Sequence, residues 1–128
     1  MSIATTIVGI DGPLTLFNSE ATSPLARIVC LHGWTLDHRS FDRQLPLVKH
    51  GLCITRYDRR GFGLNPQTPC ITGDLDDLDQ IVMASDLPVI LYGVSQGARL
   101  ALRYALSHGD KLGGLVFQGG LVDCYPYE

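Results

Sequence analysis

The sequence predicts an α/β protein in which helices flank a mostly parallel sheet. Short apolar runs alternate with helical patterns along the chain, as they do where strands are joined by helical crossovers. The run at 88–92 (PVILY) is apolar almost throughout, which is typical of a strand covered on both faces of a sheet. Because the 128 residues are 45% hydrophobic and 18% charged, we expect a single globular domain over 1–128.

The amino-terminal half is predicted to contain four strands and one helix. The strands are expected at 3–10, 14–17, 27–31 and 52–57, and the helix at 39–49. Asp11, Gly12 and Pro13 form a turn between the first two strands, and Gly51 closes the helix.

In the second half, a helix is predicted to begin at Asp74, which is a good N-cap residue. Its apolar stripe consists of Leu75, Leu78 and Val82. Three carboxylates lie off that stripe, near the positive end of the helix dipole: Asp76, Asp77 and Asp79. We interpret this acidic cluster as capping and solvation, with no metal site.

A second helix is predicted after the strand at 88–92, and a last strand at 113–118. The helix carries a stripe of small and apolar residues that allows close packing on a sheet: Ala98, Ala101, Leu102 and Ala105. Gly109 suits its carboxyl-terminal end.

The charge balance argues against a nucleic-acid partner. The formal net charge is −3 and the sequence pI is about 5.7, whereas phosphate binding needs a clustered basic surface. The first basic residue is Arg27, so no positively charged signal region is expected. No apolar run reaches about 18 residues, so no membrane span is expected either.

The four cysteines indicate reduced thiols in a cytoplasmic protein. Cys30 and Cys53 lie in apolar, strand-like runs, where free cysteine behaves as a small buried hydrophobe. None of the four is part of a C-x-x-C pair.

The pentapeptide from Gly93 to Gly97 (GVSQG) is a G-x-S-x-G pattern between a predicted strand and a predicted helix. A serine on such a sharp turn is held in a strained conformation, with its hydroxyl above the sheet. The flanking glycines remove Cβ atoms where strand and helix approach each other. The pattern therefore places Ser95 at the carboxyl end of a strand, where ligands of open α/β sheets bind.

Two further segments follow the strands at 27–31 and 52–57. In HGWT, the turn can aim the backbone N–H of Trp34 at the space above Ser95. Together with the N–H of Gln96 it would form a two-donor oxyanion hole. In YDRRGFG, the charged residues invite a catalytic interpretation, but buried Asp–Arg pairs often only hold a loop, and we favour that structural role for Asp58.

With these motifs in order and register, the sequence resembles the α/β-hydrolase family over essentially its whole length. The resemblance implies that Ser95 is the nucleophile and that Trp34 and Gln96 supply the oxyanion-hole amides. HGW with YDRRGFG is similar to the esterase, lactonase and perhydrolase-type members. Epoxide hydrolases and haloalkane dehalogenases are similar folds that use aspartate where this chain has Ser95.

The family places an acid and then a histidine after the nucleophile. Only His108 follows Ser95, at the end of a helix that would carry it roughly 18 Å away, so it cannot be the general base. The family uses His32 structurally. Asp123 is a candidate triad acid, with a plain loop aspartate as the alternative. His38 and His50 are expected on the solvated surface, so we expect no triad histidine in this chain.

Similar proteins continue with a cap region, further strands and a final helix. The resemblance thus implies that these residues are the amino-terminal half of a hydrolase core, truncated after the sixth strand. We expect the chain to pair with a second chain or segment, or to be a product of cleavage or truncation. Alone, it is expected to be inactive, because losing a triad histidine costs about 10⁶-fold in rate.

Two functions are carried forward. The first is a serine hydrolase that acts on small carboxylic esters or lactones through an acyl-enzyme at Ser95. The alternative is a non-catalytic binding protein of the same fold, or a degenerate truncated copy. No cofactor is expected, because the sequence contains neither a metal-ligand cluster nor a phosphate loop such as G-x-x-x-x-G-K.

Overall fold

Six strands form one sheet, which confirms the predicted α/β class. In this computed structural model, which describes residues 2–9 and 11–120, the strands are β1 (Ser2–Gly9), β2 (Gly12–Ser19), β3 (Ala26–Leu31), β4 (Leu52–Tyr57), β5 (Val89–Val94) and β6 (Gly114–Gln118). Their order in the sheet is β1-β2-β4-β3-β5-β6. The last four strands are mutually parallel, and β1 and β2 form an antiparallel hairpin on one edge.

The hairpin is longer than its apolar pattern predicts. β1 and β2 pair along their whole length, and Gly12 adopts φ 128° at the turn. β2 begins before the predicted position: Gly12 and Pro13, predicted as part of the turn, are its first two residues. Proline is tolerated there because β4 pairs with β2 only over Leu16–Ser19, which leaves Pro13 at an edge.

The helix predicted at 39–49 is a 3-10 helix over His38–His50. Its backbone leaves helical geometry at Phe41, and Pro46 lies inside it, so a regular α-helix cannot run through the segment. Gly51 ends the helix as predicted. It adopts φ 87°, and its N–H donates to the carbonyl of Val48 at 3.2 Å.

Helix α1 (Ile71–Met83) begins earlier than predicted. Its N-cap is Cys70, whose Sγ accepts a hydrogen bond from the Gly73 N–H at 3.3 Å. The assignment of Asp74 as N-cap is therefore wrong. Asp74 lies within the first turn and is buried, because loop residues described below pair with it.

Helix α2 (Gln96–His108) follows β5 directly, as predicted. Its buried face consists of Gly97, Ala98, Leu100, Ala101 and Tyr104. The face is rotated from the predicted stripe because the helix packs against α1 as well as the sheet, and the hydroxyl of Tyr104 donates to Asp79 at 2.7 Å. Gly109 is the C-cap, but its φ of −59° is right-handed, and a short 3-10 turn over Gly109–Lys111 follows.

Apolar side chains cover both faces of the sheet. One cluster packs under α1 and α2, and a smaller one packs under the 3-10 helix. Cys30 and Cys53 are buried free thiols, as predicted, and burial raises the pKa of Cys30 to about 12. The connections leaving β3 and β5 diverge to opposite sides of the sheet, which creates a crevice at the carboxyl ends of these neighbouring strands.

Candidate active site

Ser95 occupies a strained, exposed turn between β5 and α2. Its backbone has φ 55° and ψ −117°, a region that residues with a side chain rarely adopt. The Ser95 N–H donates to the carbonyl of Gln118 at 2.8 Å, which ties the turn to β6. Its hydroxyl does not cap the helix that begins there. Ser95 is therefore an exposed residue at the carboxyl end of β5, where the G-x-S-x-G pattern places it.

The two glycines of the pattern are required by close backbone approach. A Cβ atom on Gly93 would lie 2.5 Å from the Cα of Ala98. A Cβ atom on Gly97 would overlap the carbonyl of Leu31 and lie 2.6 Å from the carbonyl of His32. Helix α2 can therefore start against the end of β3 only because these positions lack side chains.

The turn after β3 lies directly beside Ser95. An ideal Cβ on Gly33 would be 3.4 Å from the Cβ of Ser95. The carbonyl of Gly33 bonds to the ring Nδ1 of His32 at 2.8 Å and accepts from the Leu36 N–H at 3.3 Å. In a trans peptide unit the C=O and N–H point in opposite directions, so the N–H of Trp34 is directed away from these two donors.

The protonation state of His32 follows from its two partners. The backbone N–H of Arg59 donates to Nε2 at 2.9 Å, so Nε2 carries no proton. The proton of the neutral ring is then on Nδ1, which donates to the carbonyl of Gly33. Burial lowers the pKa of His32 more than this hydrogen bond raises it. The structural role expected for His32 is thus to hold the turn that carries Trp34.

Asp58 organises the loop after β4, but through a partner other than the expected arginine. Its Oδ1 accepts from the backbone N–H and the ring Nδ1 of His38, both at 2.8 Å, and its Oδ2 accepts from the Leu64 N–H at 3.0 Å. Burial raises the pKa of Asp58, but these hydrogen bonds together lower it by more. The pKa therefore lies below its ordinary value. The structural role that we favoured for Asp58 agrees with these contacts.

The prediction that His38 is a solvated surface residue is wrong. Its side chain is 16% exposed, and its ring stacks on Phe17 with centroids 3.9 Å apart. Together with Asp37 and Asp58 it forms a group whose ligand atoms lie within 4.8 Å of one another. All three residues already have partners, since Asp58 bonds His38 within the group and Asp37 bonds Arg39 outside it. His50 is exposed, as predicted.

The interpretation of the acidic cluster of α1 as capping and solvation is wrong for Asp77, whereas Asp76 is exposed. Asp74 and Asp77 are 4% and 2% exposed, and they pair with Arg59 and Arg60 at 3.2 and 2.8 Å. Because residues three apart share one face of a helix, consecutive arginines of the loop can reach both carboxylates. Burial raises the pKa of Asp74 despite the charge of Arg59.

A cavity of about 200 Å³ opens beside the serine. It is lined by Trp34, Ser95, Gln96, Arg99, Gly119 and Gly120. Trp34 is 68% exposed, and its indole contributes an apolar side chain to the lining. The predicted residues Ser95, Trp34 and Gln96 are therefore brought together around one opening.

The other two residues considered for a triad do not join this group. His108 is the last residue of α2, at the opposite end from Ser95, and its ring stacks on Tyr104 with centroids 4.7 Å apart. The exclusion of His108 as a base stays a prediction, and its position at the far end of α2 supports it. Asp123 lies outside the described residues.

A larger cavity, of about 470 Å³, lies at the amino ends of β3 and β5, far from the serine. Several of its polar lining residues bond one another. Arg27 donates to both carboxylate oxygens of Glu20, at 2.8 and 2.7 Å, and to Thr55 at 3.0 Å. Across residues 2–9 and 11–120, no helix is both long and apolar enough to cross a membrane.

Comparison with known proteins shows which family the chain resembles. The family model described as alpha/beta hydrolase fold matches residues 26–128. A candidate monoglyceride lipase of Schizosaccharomyces pombe is 36% identical over 117 residues, which cover 80% of this chain and 31% of that protein. A 2-hydroxy-6-oxononadienedioate/2-hydroxy-6-oxononatrienedioate hydrolase of Burkholderia vietnamiensis is 31% identical over 81% of this chain and 39% of its own length.

Solved structures show the same arrangement of elements. An esterase from Exiguobacterium antarcticum is similar over 98% of this chain and 48% of its own, with a TM-score of 0.79 and 25% identity. A thioesterase domain from the curacin biosynthetic pathway gives a TM-score of 0.83 at 19% identity and shares the fold. The chain thus spans about a third of the curated relatives and about half of these structures. With its motifs, sheet order and family match in agreement, the chain belongs to the α/β-hydrolase family.

Proposed function

We propose that the protein is a serine hydrolase that cleaves small carboxylic esters or lactones through an acyl-enzyme at Ser95. One observation carries this proposal. An exposed serine at φ 55° lies between a strand and a helix, next to the Gly33 turn and beside an open cavity. The names of the relatives, which include hydrolases and esterases, support the same chemistry.

In the proposed reaction, Ser95 Oγ forms a bond to the carbonyl carbon of the substrate. The carbonyl π electrons move to its oxygen, and the hydroxyl proton passes to a base. When the tetrahedral intermediate collapses, the C–O bond to the leaving alcohol breaks and the alcohol takes the proton. Water then repeats the sequence on the acyl-enzyme and releases the acid.

The developing oxyanion would be stabilised by two backbone donors. Gln96 is the first residue of α2, where the amides point out of the helix and the dipole is positive. The N–H of Trp34 is directed away from the bonds that hold Gly33, on a turn that lies beside Ser95. Removing one such donor costs about 10²- to 10³-fold in kcat.

The proton acceptor is proposed to lie in the part of the family fold that these residues do not span. His32 and His38 are engaged in the turns after β3, and His108 is at the far end of α2. Asp123 stays a candidate for the triad acid. The 128 residues alone are accordingly expected to be inactive.

The test uses the complete protein with a fluorophosphonate probe and p-nitrophenyl and lactone substrates. Wild type should be phosphonylated at Ser95, as located by peptide mass spectrometry. Ser95→Ala should lose labelling and lower kcat by about 10⁵- to 10⁶-fold, as in other serine hydrolases. Ser107→Ala, at an exposed position on the same helix, is the matched control and should behave as wild type.

A folded wild-type protein without labelling or turnover would overturn the hydrolase proposal. That result would favour the non-catalytic binding protein, which shares the fold but needs no nucleophile. Full activity in Ser95→Ala would instead assign the reaction to another residue.

A further inference from the structure

The loop after β4 carries a buried arginine that links helix α1 to the turn beside Ser95. The guanidinium of Arg59 is 2% exposed and pairs through Nη2 with Asp74 Oδ2 at 3.2 Å. The Asp74 side chain is 6% exposed, and Asp74 belongs to the first turn of α1. A charge buried to this degree is retained only where its partner is held in place.

Arg59 reaches His32 at two separate atoms. Its Nη1 donates to the backbone carbonyl of His32 at 3.0 Å, and its own backbone N–H donates to the ring Nε2 at 2.9 Å. One residue therefore fixes both the main chain and the ring of His32. Phe62 packs edge-on against that ring, and the Arg59 guanidinium lies over the Phe62 ring at 5.3 Å.

The fixed orientation of His32 in turn restricts the peptide unit that contains the Trp34 N–H. With Nε2 accepting from Arg59, Nδ1 must donate to the carbonyl of Gly33, and that carbonyl shares a peptide unit with the Trp34 N–H. Rotation of the unit would require one of these hydrogen bonds to break. On the opposite side, the close contact of α2 at Gly97 limits movement of the His32 carbonyl.

We propose that Arg59 and Asp74 are positioning residues that orient the Trp34 N–H as an oxyanion donor through His32. The inference rests on the proposed function. Neither residue lines the cavity beside Ser95. Their effect is therefore expected on the tetrahedral intermediate and not on substrate binding.

The neighbouring pair, Arg60 and Asp77, offers a matched control. Both side chains are 3% exposed, and Asp77 lies three residues after Asp74 on the same helix. Arg60 instead bonds Asp77 and Asp11, at the hairpin turn. Within the described residues its side chain bonds these two carboxylates and not His32, so disrupting it perturbs a similar ion pair without touching the turn.

The experiment compares Asp74→Asn with Asp77→Asn in the complete protein, at a temperature where both are folded by circular dichroism. Asp74→Asn should lower kcat by about 10- to 100-fold with KM within about threefold, because small displacements of catalytic groups have effects of this size. The inhibition constant of a trifluoromethyl ketone, which forms a tetrahedral adduct with the serine, should rise by the same factor. Asp77→Asn should change neither by more than about threefold.

A second pair of variants covers the case in which Asp74→Asn does not fold. Arg59→Met with Asp74→Leu removes both buried charges at once, which leaves no unpaired charge in the interior. It still loses the bond to the His32 carbonyl, so the same kcat deficit is expected. Arg60→Met with Asp77→Leu is its control.

The outcomes separate this inference from the function on which it rests. Wild type that is labelled at Ser95, combined with equal kcat in the Asp74 and Asp77 variants, would overturn the positioning role alone. A deficit confined to KM would overturn it as well. Wild type without labelling at Ser95 would overturn the proposed function and this inference together.

Discussion

Two hydrogen bonds determine the tautomer of His32. The Arg59 N–H donates to Nε2, and Nδ1 donates to the Gly33 carbonyl, so the ring must be neutral. A second proton on Nε2 would place two N–H groups against each other. His32, which holds the turn beside Ser95, is therefore sensitive to acid although we assign it no role in the proposed reaction.

The pH dependence of stability should reflect this residue. Burial lowers the pKa of His32 in the folded state, so the unfolded chain binds the proton more readily. The free energy of unfolding should be greatest above about pH 6.5, the ordinary pKa of histidine, and should fall as the pH falls below it. Urea denaturation of the complete protein between pH 5 and 8 measures this slope.

His32→Asn provides the comparison, because asparagine can still donate to Gly33 but does not titrate. The variant should be less stable at neutral pH and should show a shallower slope. An unchanged slope would mean that other groups cause the loss of stability in acid.

Among the secondary-structure elements, the junction of β3, β5 and α2 has the least tolerance for added volume. Gly97 lies in the first turn of α2 against the Leu31 carbonyl, with no room for a methyl group. Gly109 ends the same helix with φ −59° and nothing within 4 Å of an added Cβ. The helix thus carries one glycine that packing requires and one that it does not.

Alanine substitutions should separate these two glycines. Gly97→Ala should destabilise the protein by about 2–4 kcal/mol, because the backbone must move to relieve the overlap. It should also slow labelling of Ser95, since the turn moves with the helix. Gly109→Ala should be neutral or stabilising by up to about 1 kcal/mol.

Thermal denaturation and the rate of fluorophosphonate labelling, measured on both variants, test this expectation. Equal stability of Gly97→Ala and Gly109→Ala would show that the contact between α2 and β3 is looser than described.

For the molecule as a whole, β6 is a sheet edge within the described residues. It pairs with β5 on one side, and Val116 on it is 47% exposed. An unpaired edge with apolar side chains can pair with another chain. The pairing with a second chain or segment that the sequence suggests stays a prediction.

That prediction can be tested on the 128-residue polypeptide expressed alone. Light scattering after gel filtration should give a mass well above 14.0 kDa, and Val116→Lys should lower it because a charged edge resists pairing. Gln80→Lys, at an exposed position of helix α1 and outside both edge strands, is the control and should leave association unchanged. A monodisperse 14.0 kDa species in the unsubstituted polypeptide would contradict the prediction.

The elements that could be predicted are those whose signals are local. Apolar runs located β3, β4 and β5 to within two residues, and glycine spacing located the turn at Ser95. The errors concern side chains whose environment depends on distant residues. From the helical pattern alone, Asp74 and Asp77 are expected at the start and on the surface of a helix. They are buried because the fold brings Arg59 and Arg60 against them.

A signal for that pairing was present in the sequence. Two consecutive arginines precede a helix with carboxylates three positions apart on one face, which is a complementary arrangement. The burial of His38 had no comparable local signal, because Phe17 and Asp58 come from two other elements.

The most direct test of the account is a crystal structure of the complete protein after reaction with a fluorophosphonate. We expect phosphorus bonded to Ser95 Oγ, with a phosphonyl oxygen about 2.7–3.1 Å from the backbone nitrogens of both Trp34 and Gln96. An adduct on another residue, or an oxygen farther than about 3.5 Å from both nitrogens, would contradict it.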